Sequence, residues 1–138
     1  MSIVGLSHIG IAVPDLDAAI SLFQSRLGMP PGPVLENPDQ GVRLVQFDLG
    51  NAQLELLSPL SNKSPLTAFL AKHPQGGLHH LSLSADDLGE TLAQLKADGC
   101  QIVSGPARNV LGRTFAFVHP REMCGVLTEV EAEDSDDR

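Results

Sequence analysis

A chain of 138 residues with a formal charge of −8, 42% hydrophobic and 19% charged residues has the make-up of one globular domain. The acidic balance speaks against nucleic acid or an anionic membrane as partner, since both call for a basic face. No apolar run approaches the roughly 20 residues that span a bilayer. The N-terminus has no basic region followed by an apolar stretch and cleavage site, and Cys100 and Cys124 show neither metal-ligand nor disulfide spacing. Reduced thiols in a cytoplasmic protein are the expectation.

Ser7 to Val13 alternates and predicts a strand. Ile9, Ile11 and Val13 would lie under a helix, while His8, Gly10 and Ala12 face the other way and leave open space beside the imidazole. Asp15 suits a helix N-cap, Leu16, Ala19, Ile20, Phe23 and Leu27 follow at helical spacing, and Gly28 suits the C-terminal cap. Met29 to Gln40 reads as loop. Val42 to Leu49 and Gln53 to Leu57 read as strands around a turn at Gly50-Asn51, with Gln53, Glu55 and Leu57 on one face. Ser64-Pro65 opens a short helix that turns Leu66, Phe69 and Leu70 inward and stops near His73-Pro74.

After a hinge at Gln75-Gly76-Gly77 the beginning of the chain returns. Leu78 to Leu88 repeats the order of Leu6 to Leu16 seventy-two positions on, and Thr128-Glu129-Val130 echoes Leu54-Glu55-Leu56. His80 matches His8. His79 lies on the opposite side of the strand with Leu81 and Leu83, where a packed or peripheral histidine is expected. Asp87 with Glu90 resembles a capping box, and Leu88, Leu92 and Leu95 carry a helix to Asp98-Gly99. Gln101 to Val103, Thr114 to Val118 and Gly125 to Val130 read as strands, with a loop from Arg108 to Arg113. Glu131 to Asp137 reads as a solvated acidic tail.

Each copy is thus β-α-β-β with one more short strand. The predicted fold is α+β, with two tandem modules whose sheets curve around one cleft and whose helices lie outside. Residues 1–132 form one domain on this reading, with modules of about 1–60 and 77–132, a helical linker over 61–76 and a disordered tail over 133–138. His8, Glu55, His80 and Glu129 occupy symmetric places. Two imidazoles and two carboxylates suit a divalent ion such as Zn, Co, Ni or Mn, with positions left for water or substrate. His119 reads as a strand-end turn and His73 as a helix C-terminal residue. Lys63, Lys72, Arg108, Arg113 and Arg121 are surface charges, some available to an anionic ligand.

At these residues the chain resembles the vicinal-oxygen-chelate (glyoxalase-like) superfamily and, within it, the methylmalonyl-CoA epimerases. The likeness runs from His8 to about Glu131. It rests on His8-Ile9-Gly10-Ile11-Ala12-Val13-Pro14-Asp15-Leu16, on Gly50-Asn51 with Leu54-Glu55-Leu56-Leu57-Ser58-Pro59-Leu60, and on Ser64-Pro65 with Phe69-Leu70. Gly76-Gly77-Leu78-His79-His80, Phe117-Val118-His119-Pro120 and Gly125-Val126-Leu127-Thr128-Glu129 complete it. The resemblance implies paired βαβββ modules, one divalent metal, often cobalt, on His8, Glu55, His80 and Glu129, and a homodimer. It also implies epimerisation of methylmalonyl-CoA in propionate metabolism through a metal-stabilised enolate, with Glu129 first and Glu55 second as proton-transfer groups.

Two places depart from the family pattern. Leu44 stands where some members carry a glutamate, and Asn109-Val110-Leu111-Gly112 replaces a glycine-rich loop that lies near the substrate. A related acyl-CoA therefore stays open as substrate. A glyoxalase I-type isomerase would use the same ligand types. An extradiol dioxygenase would need two histidines and one carboxylate on iron, and a non-enzymatic binder would normally have lost the ligands.

Overall fold

The computed structural model describes residues 2–133. In chain order the elements are β1 (Ile3–Ala12), α1 (Leu16–Leu27), β2 (Leu35–Asn37), β3 (Val42–Asp48), β4 (Gln53–Pro59), α2 (Leu66–Lys72), β5 (Gly77–Ala85) and α3 (Leu88–Ala97). β6 (Ile102–Arg108), β7 (Thr114–Val118), a short 3-10 turn (Pro120–Glu122) and β8 (Thr128–Ala132) follow, which makes the fold α+β. The residues gather into two compact units, one of Ile9–His79 and one of the residues up to His8 together with those from His80 onward. The chain therefore changes unit twice, within β1 and within β5. Among the described residues no helix is long and apolar enough to cross a membrane.

In the unit Ile9–His79, β2, β3 and β4 pair in that order, and Val13 N–H beside β1 donates to Leu57 O at 2.8 Å. The β3–β4 register is antiparallel and sets Gln46 opposite Glu55 and Leu44 opposite Leu57. Asp15 caps α1 by accepting from Ala18 N–H at 3.1 Å, and Gly28 closes it in the left-handed region with φ 66°. Leu16, the buried residue of α1, and the partly buried Ala19, Ile20 and Phe23 pack with Val13, Val45, Phe47 and Leu56, as the spacing requires.

At Ala12 the small-residue side of β1 is filled. Ala12 is completely buried in a second cluster with Val42, Leu44, Leu57 and Leu66, backed by Phe69 and Leu70 of α2. A small side chain here admits a neighbouring helix, not solvent. Ser64 Oγ accepts from Leu66 N–H at 3.2 Å, while Pro65 occupies the cap position itself. Gly76 follows at φ 100°, and a Cβ on it would stand 2.6 Å from Ala12 O. Within the expected loop of residues 29–40, Leu35–Asn37 pairs antiparallel with Val42–Leu44 as β2.

In the other unit the order runs from the first half of β1 through β5, β8 and β7 to β6. β5 and β8 are parallel, whereas β8–β7 and β7–β6 are antiparallel. Asp87 accepts from Glu90 N–H at 3.0 Å and so starts α3 as the capping pattern predicts. Leu88 and Leu92 then pack on Ala85, Ala116, Val118, Val130 and Ala132.

Three expectations are corrected in this unit. β6 extends to Arg108 with two register shifts against β7, where the Gly-Pro pair at 105–106 hid the strand. β8 begins at Thr128, not Gly125, because Gly125 takes φ 86° and donates its N–H to Pro120 O at 2.8 Å in a turn. Glu131 is no tail residue: it lies on β8 and is only 1% exposed. Glu133 N–H still donates to Ala85 O at 3.2 Å. The remainder of the expected tail, residues 134–138, lies outside the described residues.

Candidate metal centre

β1 delivers His8, β5 delivers His80 and β8 delivers Glu129, all within one unit. The parallel β5–β8 register sets Ser82 beside Glu129 two positions past His80, so period-two alternation brings His80 and Glu129 to one face. His8 Nε2 lies 3.1 Å from His80 Nε2 and 3.1 Å from Glu129 Oε1, and His80 Nε2 lies 3.5 Å from that same oxygen. The imidazole rings are perpendicular with centroids 5.2 Å apart, and Phe117 sits edge-on to His80 at 5.4 Å. All three residues are buried.

This donor set fits a divalent cation. Ligands about 2.0–2.2 Å from one ion stand about 3.3–3.6 Å apart at tetrahedral angles and somewhat closer at octahedral ones. The observed 3.1–3.5 Å separations match that spacing with little rearrangement. Burial pushes the Glu129 carboxyl above its ordinary range; the adjacent His8 pulls it back and the nearby Glu131 pushes it further up. Ser82, across the strand pair, favours the ionised form slightly, although its completely buried Oγ is outside full hydrogen-bond geometry with every described group. An anionic oxygen buried against two imidazoles favours a cation between them.

Glu55, the fourth residue of the predicted set, belongs to the unit Ile9–His79. It is buried on β4 and accepts from Gln46 Nε2 at 3.0 Å. His79 packs edge-on against Phe69 at 5.1 Å, the peripheral role expected of it. His73 closes α2, and His119 caps the 3-10 turn by accepting from Arg121 N–H at 3.1 Å.

Two residues beside the centre escaped the sequence reading. Ser7 Oγ lies 3.1 Å from His8 Nδ1 and 2.5 Å from Glu131 Oε1. Glu131 also accepts from Asn109 Nδ2 at 2.7 Å and lies 3.5 Å from Arg113 Nη1. Its shared parity with Glu129 was the available signal, but a run of acidic residues following it resembled solvated chain.

A family model described as Glyoxalase/Bleomycin resistance protein/Dioxygenase superfamily matches residues 7–117. Methylmalonyl-CoA epimerase, mitochondrial, of Mus musculus is 38% identical over 127 residues, spanning 91% of this chain and 71% of that one. Ethylmalonyl-CoA/methylmalonyl-CoA epimerase of Cereibacter sphaeroides is 37% identical over 128 residues, spanning 91% and 96%. A variant of Streptomyces coelicolor methylmalonyl-CoA epimerase, solved with 2-nitronate-propionyl-CoA, superposes with a TM-score of 0.88 at 31% identity and covers 96% of this chain and 99% of that one. The chain belongs to the glyoxalase/bleomycin resistance protein/dioxygenase superfamily and, within it, to the methylmalonyl-CoA epimerase family.

Proposed function

We propose that the protein is a metal-dependent isomerase that interconverts (2R)- and (2S)-methylmalonyl-CoA. The observation that carries this reading is the three-way contact of His8, His80 and Glu129, buried and spaced for one divalent ion. Cobalt is the proposed native ion and zinc, nickel or manganese the alternatives, since imidazole and carboxylate accept all four. An ion bound there would supply Lewis-acid stabilisation of the negative charge that develops on substrate oxygen.

The chain's own groups handle the proton. In the reaction C2, flanked by a thioester and a carboxylate, loses its hydrogen on one face and regains one on the other. Glu129 is the proposed base, because its carboxylate lies at the shared centre, 3.1 Å from His8 Nε2 and 3.5 Å from His80 Nε2, where the substrate's oxygens would meet the ion. Glu55 is proposed as fourth ligand and as the acid that returns a proton to the opposite face. Its support is its matching place in the repeat and its burial on β4 with Gln46 Nε2 donating to it. Each turnover leaves one carboxyl with an extra proton and the other with one fewer, and exchange with water resets both.

A homodimer in the cytoplasm completes the proposal, after the family resemblance. Substrate breadth is a second reading, favoured by the Cereibacter sphaeroides relative, whose name includes ethylmalonyl-CoA. Incubation of either methylmalonyl-CoA epimer in deuterated water tests the reaction. Deuterium should enter at C2, stop with chelator and return with Co2+; no entry with any added metal defeats the proposal. The same assay with ethylmalonyl-CoA measures breadth.

A further inference from the structure

We infer that Glu131 and Ser7 are positioning residues that hold His8 in the tautomer required of a metal ligand. Every hydrogen bond in the chain of contacts has its direction fixed by chemistry. Glu131 lies among three donors: Ser7 Oγ at 2.5 Å, Asn109 Nδ2 at 2.7 Å and Arg113 Nη1 at 3.5 Å. A carboxylate so placed accepts and does not donate. The single hydroxyl proton of Ser7 is therefore committed to Glu131, and Ser7 Oγ must accept from the ring nitrogen 3.1 Å away, Nδ1 of His8.

A neutral imidazole carries one N–H. With that hydrogen on Nδ1, Nε2 of His8 is a bare lone pair directed at the point it shares with His80 Nε2 and Glu129 Oε1. Without an ion, Glu129 Oε1 at 3.1 Å draws the opposite tautomer by accepting from Nε2–H. That tautomer leaves Nδ1 and Ser7 Oγ facing each other without a proton, so the Ser7–Glu131 pair opposes the pull and favours the bare Nε2 that an ion needs. Partners of this kind fix ring orientation and sharpen ligand basicity. Ser7 reaches the site through His8, and Glu131 reaches it through Ser7 and through its charge beside Glu129. Burial supports the arrangement: Glu131 is 1% exposed and Ser7 8%, so water does not compete for these bonds.

The inference rests on the metal reading proposed above, and the experiment separates the two. The full chain is stripped with chelator, examined by 15N NMR in buffer alkaline enough to keep the imidazoles neutral, then titrated with Co2+. Wild-type His8 should hold more of the Nδ1–H tautomer than either single variant. Ser7→Ala and Glu131→Gln should bring in the Nε2–H form and weaken Co2+ binding about 10- to 100-fold. The double variant should bind no more weakly than the weaker single variant, and Ser7→Thr should keep both properties. An unchanged tautomer and unchanged affinity in Ser7→Ala overturn the relay. If Glu131→Gln does not fold, the contrast between Ser7→Ala and Ser7→Thr decides alone. A wild-type chain that takes up no Co2+ removes the metal reading, and the tautomer still decides the relay.

Discussion

At the level of single residues, Glu129 has opposing demands on it. Ligation needs its charge, while burial resists that charge and raises the pKa. Glu129→Gln keeps the side chain's shape and removes the charge. It should weaken Co2+ binding at least about tenfold and slow deuterium entry at C2 by about 100-fold or more, checked by metal analysis and mass spectrometry. Unchanged turnover with metal still bound would take Glu129 out of catalysis. His79 makes a different prediction. Burial lowers its pKa below 6.5, so the unfolded chain binds a proton that the folded chain resists. Stability should therefore be full above about pH 6.5 and fall as pH drops below it. A His79→Gln variant, followed by urea unfolding across this range, should lose that part of the slope.

Elements differ in how plainly the sequence announces them. Both long helices were legible, because Asp15 and Asp87 cap them with bonds to residues three positions on and Gly28 ends the first. The repeat likewise exposed His8, His80 and Glu129, since a duplicated pattern survives without any knowledge of packing. α2 was legible as a helix but not in its placement: nothing local says that Leu66 covers Ala12. Leu66→Ala should cost about 2–5 kcal/mol, read as a lower urea midpoint. The start of β8 was misplaced because Gly125-Val126-Leu127 has strand composition, and only the turn bond to Pro120 O excludes it. Ser7 was missed because alternation assigns it to the aliphatic side of β1. The loop before β7 is built on Asn109, whose Oδ1 accepts from Leu111 N–H and Arg113 N–H, both at 3.0 Å. In Asn109→Ala those two amides should exchange faster with solvent, and Co2+ binding should weaken less than in Ser7→Ala, because Glu131 keeps Ser7 and Arg113 beside it.

For the molecule as a whole, the proposed ion joins strands from the beginning, middle and end of the chain. Ligand binding to the folded state alone adds about 4 kcal/mol when the free ion is at a thousand times its dissociation constant. For a chain of this length that raises the melting temperature by roughly 10 °C. Calorimetry with Co2+ and then with chelator should show the shift and its reversal. Equal melting temperatures would mean that no ion bridges these strands.

The path of the chain through its two units has a consequence for biosynthesis. Ile9–His79 is contiguous, whereas residues 2–8 belong with residues made much later. At about 5–20 residues per second, Ile3, Val4 and Leu6 wait several seconds for β5, and His8 waits longer for Glu129 on β8. Until β8 has been made His8 has no Glu129 beside it, so the centre can take up its ion only when synthesis of the last strand is complete, and metal loading becomes the closing step of the protein's maturation.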